Sequence, residues 1–98
     1  MKRRPFPMDA KERTFREAML GVTLSPRQVD VLRRLRAGAD LACERLEAWV
    51  GDERTSARTV LALLRCCAIR EADFSGGGVT YYELTELGCE QLHKAEVR

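Results

Sequence analysis

The sequence is poor in the features that mark several classes of protein. No uncharged run exceeds nine residues, whereas a membrane-spanning helix needs about 20. Aromatic residues make up only 6% of the 98 residues, and His93 is the single histidine. The basic start of the chain leads into prolines and further charges rather than into the apolar core of a secretion signal. We therefore expect a protein that has no membrane span and works in the cytoplasm.

Catalytic and metal-binding patterns are equally scarce. The cysteines lack the Cys-x-x-Cys spacing of structural zinc sites, and in reducing surroundings we expect Cys43, Cys66, Cys67 and Cys89 to stay thiols. The glycines at 76–78 follow a predicted strand but open no helix, so they indicate a turn rather than a phosphate-binding loop. No histidine stands beside a candidate nucleophile. The sequence thus predicts no enzyme, no cofactor and no metal.

What the sequence does contain is enough apolar material for one small core. Hydrophobic residues form 45% of the chain and charged residues 33%, which is typical of a single globular domain. The net charge of +2 conceals an asymmetry along the chain. Residues 1–37 carry ten basic and four acidic residues, net +6, while residues 38–98 carry seven and eleven, net −4. Binding to phosphate has to overcome the acidic second part.

Periodicity and capping residues predict five helices and one hairpin. After a flexible basic arm over residues 1–8 comes a leading helix over 10–20. Ser25, Pro26 and Gln28 form a capping signature for a second helix, and Asp40 is predicted to cap a short third one. Further helices are predicted over 55–67 and 86–96, with a hairpin between them over 69–84. The predicted core includes Trp49, Val60, Leu64 and Leu84, and the short helix is expected to bury Leu41, Ala42 and Leu46 beside Trp49.

Two motifs resemble those of winged helix-turn-helix regulators of the MarR-like and PadR-like type. One motif resembles the end of a recognition helix and consists of Thr59, Val60, Ala62, Leu63, Arg65 and Ile69. The other resembles the step from the second wing strand to the last helix and consists of Tyr82, Leu84, Thr85 and Gly88. Cys67 stands where that family usually has glycine. The resemblance implies a mainly α fold with a small β-hairpin, in one winged-helix domain over residues 9–98. Its helix-turn-helix would span 25–67 and its wing 69–84, with an extra helix at each end.

The resemblance also implies where double-stranded DNA would bind. In this family the helix corresponding to 55–67 enters the major groove, and helical projection turns Thr55, Arg58, Ala62, Arg65 and Cys66 outward, with Thr59 and Leu61 on the flanks. The arginines suit guanine or phosphate, and the threonine hydroxyls suit phosphate. The basic arm, with Lys2, Arg3 and Arg4, is of the type that enters a minor groove.

Two functional hypotheses follow from this pattern. The first is a small sequence-specific transcriptional regulator, acting as a homodimer in which the apolar stripes of the terminal helices meet. The second is a winged helix used to recognise a protein, such as a phage-type, anti-CRISPR-like inhibitor or an adaptor that blocks a partner's nucleic-acid site. It is favoured by the apolar residues Leu61, Ala62 and Cys66 and by the acidic residues Glu71 and Asp73 of the predicted hairpin.

Overall fold

A five-stranded antiparallel sheet forms the centre of the molecule. The structure is a computed structural model that describes residues 10–73 and 76–97. Its elements are α1 (Ala10–Leu20), α2 (Pro26–Arg36), β1 (Leu41–Glu44), β2 (Glu47–Val50), β3 (Glu53–Ser56), α3 (Ala57–Arg65), β4 (Ile69–Glu71), β5 (Thr80–Leu84) and α4 (Glu86–Glu96). The strand order is β3-β2-β1-β5-β4. The fold is therefore α+β, and the predicted mainly α fold with a small hairpin is wrong.

The helices with strong capping signals form where the sequence predicts them. At the start of α2, the Ser25 hydroxyl accepts from the backbone N–H of Gln28 at 3.2 Å, and the Gln28 side chain accepts from the backbone N–H of Ser25 at 2.8 Å. The terminal helices α1 and α4 occupy the predicted ranges. In the described ranges, no helix combines the length and apolar character needed to cross a bilayer.

The segment from Leu41 to Ser56 departs most from the prediction, because it forms three strands instead of a short helix. Burial alternates along β2, where Ala48 and Val50 are buried, and β1 pairs with both β2 and β5. Leu46, which the helix would have buried, is 87% exposed in the β1–β2 turn. Three strands thus separate α2 from α3, so the predicted helix-turn-helix over 25–67 does not form.

The core lies between the helices and one face of the sheet. Its fully covered large residues come from both layers: Val31, Leu32, Leu41, Val50, Val60, Leu63 and Leu92. Trp49 pairs with Ala42, next to the Leu41–Val50 pair. Because side chains of adjacent pairs point to opposite faces, Trp49 lies on the other face of the sheet and is only half-buried. Leu64 and Leu84 are also half-buried, while Val60 is buried as predicted.

The predicted hairpin over 69–84 is present as β4 and β5. Ile69 pairs with Leu84 and Glu71 with Tyr82, and glycines with positive φ occupy 77 and 78 near its tip. β5 leads directly into α4 through Thr85, whose hydroxyl accepts from the backbone N–H of Gly88 at 2.9 Å. The same hydroxyl donates to the carbonyl of Cys67 at 2.6 Å, which ties the start of α4 to the end of α3.

Candidate nucleic-acid interface

Helix α3 presents a basic and apolar face to solvent. Ser56 caps the helix by accepting from the backbone N–H of Thr59 at 3.1 Å. Val60 and Leu63 are buried against the sheet, which leaves Arg58, Leu61 and Arg65 exposed on the other side. The helix sequence ARTVLALLR contains no acidic residue. Its exposed face therefore carries two positive charges and no negative one.

The two arginines of α3 have no carboxylate partner, whereas six of the other nine arginines that the structure describes have one. Ion pairs hold Arg16, Arg33, Arg34, Arg36, Arg54 and Arg70. Among the described residues, neither Arg58 nor Arg65 forms such a pair. Arg58 also lies in the first turn, where the helix dipole is unfavourable to a cation. Helix stability thus gives no reason for an arginine at this position.

The predicted threonine contacts are less accessible than the arginines. Thr55 belongs to β3, because α3 begins two residues later than predicted, and its Oγ1 is buried without a hydrogen-bond partner. The Thr59 hydroxyl lies 2.9 Å from the hydroxyl of Ser56. Thr59 is therefore engaged in the cap at the start of the helix, and Thr55 does not share the exposed face of Arg58 and Arg65.

Two further residues of the predicted face are partly or wholly covered. Ala62 is half-buried and lines a shallow cleft of about 300 Å³ whose other walls are Met19, Val22, Thr23, Gln28, Arg65 and Cys66. Cys66 is buried, and burial raises the pKa of its thiol. Its sulfur lies 3.5 Å from the carbonyl oxygen of Leu63 and 3.7 Å from Gln91 Oε1, the two acceptors within reach of its single S–H. The projection missed this because Cys66 is the C-cap, where helical periodicity no longer applies.

The remaining predicted contacts lie on the arm and on the hairpin. Lys2, Arg3 and Arg4, and the arm over 1–8 that carries them, fall outside the described residues. On the hairpin, Arg70 is paired with Glu83, and Glu71 and Asp73 are exposed. The sequence interpretation also overlooked Arg45 and Leu46, because it placed them inside a helix. Both are exposed in the β1–β2 turn, at the end of the sheet where α3 begins.

Other kinds of site receive no support from the side chains that are described. In this part of the chain, no three residues among the histidine, cysteine and acidic side chains cluster as a metal site would require. All four cysteines are free thiols.

The comparisons with known proteins identify no relative. No protein-family model matches the chain, nor does any curated protein or any solved structure. The winged-helix resemblance of the two sequence motifs accordingly stays a prediction.

Proposed function

We propose that this chain is a sequence-specific duplex-DNA-binding protein, of the kind that regulates transcription in the cytoplasm, and that it binds through the exposed face of α3. The observation that carries the proposal is the pair of exposed, unpartnered arginines on an acid-free helix. Arginine donates two parallel hydrogen bonds to guanine or to phosphate. Free guanidinium groups can therefore bind both the base edges and the backbone of a DNA site.

The spacing of the arginines supports a groove-binding role for the helix. Arg58 and Arg65 are seven residues apart, which is close to two helical turns, and they lie roughly 10.5 Å apart along the axis. That separation corresponds to about three base-pair steps. One arginine at each end of the nine-residue helix would therefore reach different base pairs or phosphates of the same groove.

The charges on the neighbouring strands do not oppose this surface as strongly as the sequence indicates. Glu47 on β2 pairs with Arg54 at 2.9 Å, and Glu53 on β3 pairs with Arg34 at 3.1 Å. A carboxylate held against a guanidinium repels phosphate less than a free one does. The acidic composition of residues 38–98 is thus partly neutralised on β2 and β3, and beside the start of α3 it is Glu47, opposite Ser56, that is paired.

The proposal is tested by selecting a preferred site from randomised duplexes and then measuring the affinity of variants for it. Arg58→Ala and Arg65→Ala should each weaken binding by about 1 to 3 kcal/mol, roughly 5- to 150-fold in Kd, where the arginine contacts a base. Arg33→Ala is the matched control, because it removes the same charge from an exposed site while Glu96 keeps its bonds to Arg36. A selection that yields no preferred site would contradict sequence-specific binding.

A second candidate function is recognition of a protein. The chain would then act as an anti-CRISPR-like inhibitor or an adaptor that blocks the nucleic-acid site of its partner. One observation favours it: Leu61, which lies between the two arginines, is 51% exposed. If this face binds a protein, Leu61→Ala should abolish capture of that partner from nuclease-treated cell extract. If it binds DNA, the same variant should weaken DNA binding only slightly. Leu61 is a better probe than the half-buried Ala62, because a charge at Ala62 would also disturb the cleft beneath it.

A further inference from the structure

The β1–β2 turn combines an unusual backbone conformation with an unusual exposed side chain. Arg45 has φ 58°, in the left-handed region that glycine or asparagine adopts at far lower cost than arginine. Leu46, beside it, is 87% exposed, more than the other large hydrophobic residues of the described chain. Fold stability would favour glycine followed by a polar residue in such a turn. Neither residue is therefore explained by the stability of the hairpin.

The turn lies beside the start of α3. Strand β2 pairs with β3 so that Glu47 is opposite Ser56, which is the N-cap of α3. Leu46 immediately precedes Glu47, and Ala57 immediately follows Ser56. The turn and the first turn of α3 thus leave the same end of the sheet on neighbouring strands, which are roughly 4.8 Å apart.

We propose that the β1–β2 turn is a second DNA-contacting element, which touches the same duplex as α3. This inference rests on the proposed function. With α3 in one groove, the turn lies at the flanking backbone, where Arg45 contacts phosphate and Leu46 packs on the sugars and base edges of the adjoining minor groove. Arginine and leucine are residue types that minor-groove-binding proteins use in this way.

The charges around the turn favour a phosphate-bearing partner. Arg45 is exposed and, within the described ranges, has no carboxylate partner. Arg58, in the first turn of α3, has none either, while Glu47 is held by Arg54. Glu44 is the exposed carboxylate that remains on β1. The β1–β2 turn and the first turn of α3 therefore carry two guanidinium groups without a carboxylate partner beside the carboxylate of Glu44, while the exposed Asp73 lies on the separate β4–β5 hairpin. This local excess of positive charge complements a phosphate backbone better than it complements a basic protein surface.

The decisive variant is Arg45→Gly, because it should improve the fold while it impairs binding. Glycine relieves the left-handed backbone, so we expect an unchanged or higher melting temperature. The affinity of the full chain for its selected duplex should fall roughly fivefold or more. Leu46→Ser should leave the melting temperature unchanged, since the side chain is exposed, and should also weaken binding. Arg58→Ala serves as the reference for α3, and Arg33→Ala as the charge control.

The outcomes separate this inference from the proposed function. If both turn variants and Arg58→Ala weaken binding, the turn and α3 share one DNA surface. If Arg58→Ala weakens binding and the turn variants bind as the wild type does, the inference is overturned while the role of α3 stands. If the wild-type chain binds no duplex, both are overturned. Weakening by the turn variants alone would support the turn and overturn the assignment of α3.

Discussion

At the scale of single residues, Gly88 shows why a glycine is needed in the motif that joins β5 to α4. A Cβ at this position would lie 2.1 Å from the carbonyl oxygen of Ala68 and 2.9 Å from the Leu84 side chain. Helix α4 therefore packs directly on backbone. Gly88→Ala should lower the free energy of unfolding by about 1 to 3 kcal/mol, although alanine favours helix. Gly76→Ala, whose Cβ meets nothing within 4 Å, should change the melting temperature little, and equal effects of the two would contradict this packing.

Glu96 provides a residue-scale prediction about pH. Hydrogen bonds from Arg36, at 2.8 Å, and then from Arg33, at 2.9 Å, lower its pKa from 4.5 to about 2. A depressed carboxyl pKa stabilises the fold above the unfolded-state value, and that contribution disappears as the pH falls through about 2. The melting temperature of Glu96→Gln should therefore be lower than that of the wild type at neutral pH. Near pH 2 the two melting temperatures should be equal. The difference in melting temperature at neutral pH should decrease in high salt, because salt screens these exposed charges.

At the scale of elements, α3 shows how far helical projection can be carried. The predicted core included Val60 and Leu64 of this helix; Val60 is buried, but Leu64 is only half-buried. The projection failed for Thr55 and Cys66 because these residues lie beyond the ends of the helix, in β3 and at the C-cap. Arg58 and Arg65, within the helix, are exposed as projected.

The packing of α3 gives a prediction that ranks its two adjacent leucines. Leu63→Ala leaves a cavity in the fully covered core and should destabilise the protein by about 3 to 5 kcal/mol. Leu64→Ala removes a partly exposed side chain and should cost less, near or below about 2 kcal/mol. Chemical denaturation of both variants measures the difference. A larger loss for Leu64 would show that the helix is rotated relative to the sheet.

The strands between α2 and α3 mark the limit of prediction from the sequence. Local signals were sufficient for α1, α2 and α4, because caps and periodicity lie within each helix. The segment from Leu41 to Val50 has a pattern that suits either a short helix or a hairpin. Strand β1 joins the segment to the rest of the sheet by pairing with β5, some 40 residues later in the chain, as in the Leu41–Tyr82 pair. Such long-range pairing leaves no local signature.

At the scale of the whole molecule, we propose that a second copy of the chain covers the outer side of the terminal helices. Within one copy, α1 and α4 already pack together, and Leu92 is fully buried. Phe15 nevertheless remains 52% exposed and lines a cleft with Leu87. A two-fold contact there would bury both residues in each copy.

Sedimentation should show a dimer for the wild type and a monomer for Phe15→Ser, with Val97→Ser as an exposed apolar control. A monomeric wild type would refute the dimer.

The central claim, that α3 meets phosphate and bases with Arg58 and Arg65, is tested most directly by the salt dependence of duplex binding. Each phosphate neutralised by a cationic side chain contributes about −0.9 to the slope of log K against log salt concentration. We predict a steep negative slope for the wild type and a clearly shallower one, by up to about two, for the Arg58→Ala/Arg65→Ala double variant. Arg33→Ala should keep the wild-type slope. A double variant that binds with the wild-type slope and affinity would contradict the account, because α3 would not then be where DNA is bound.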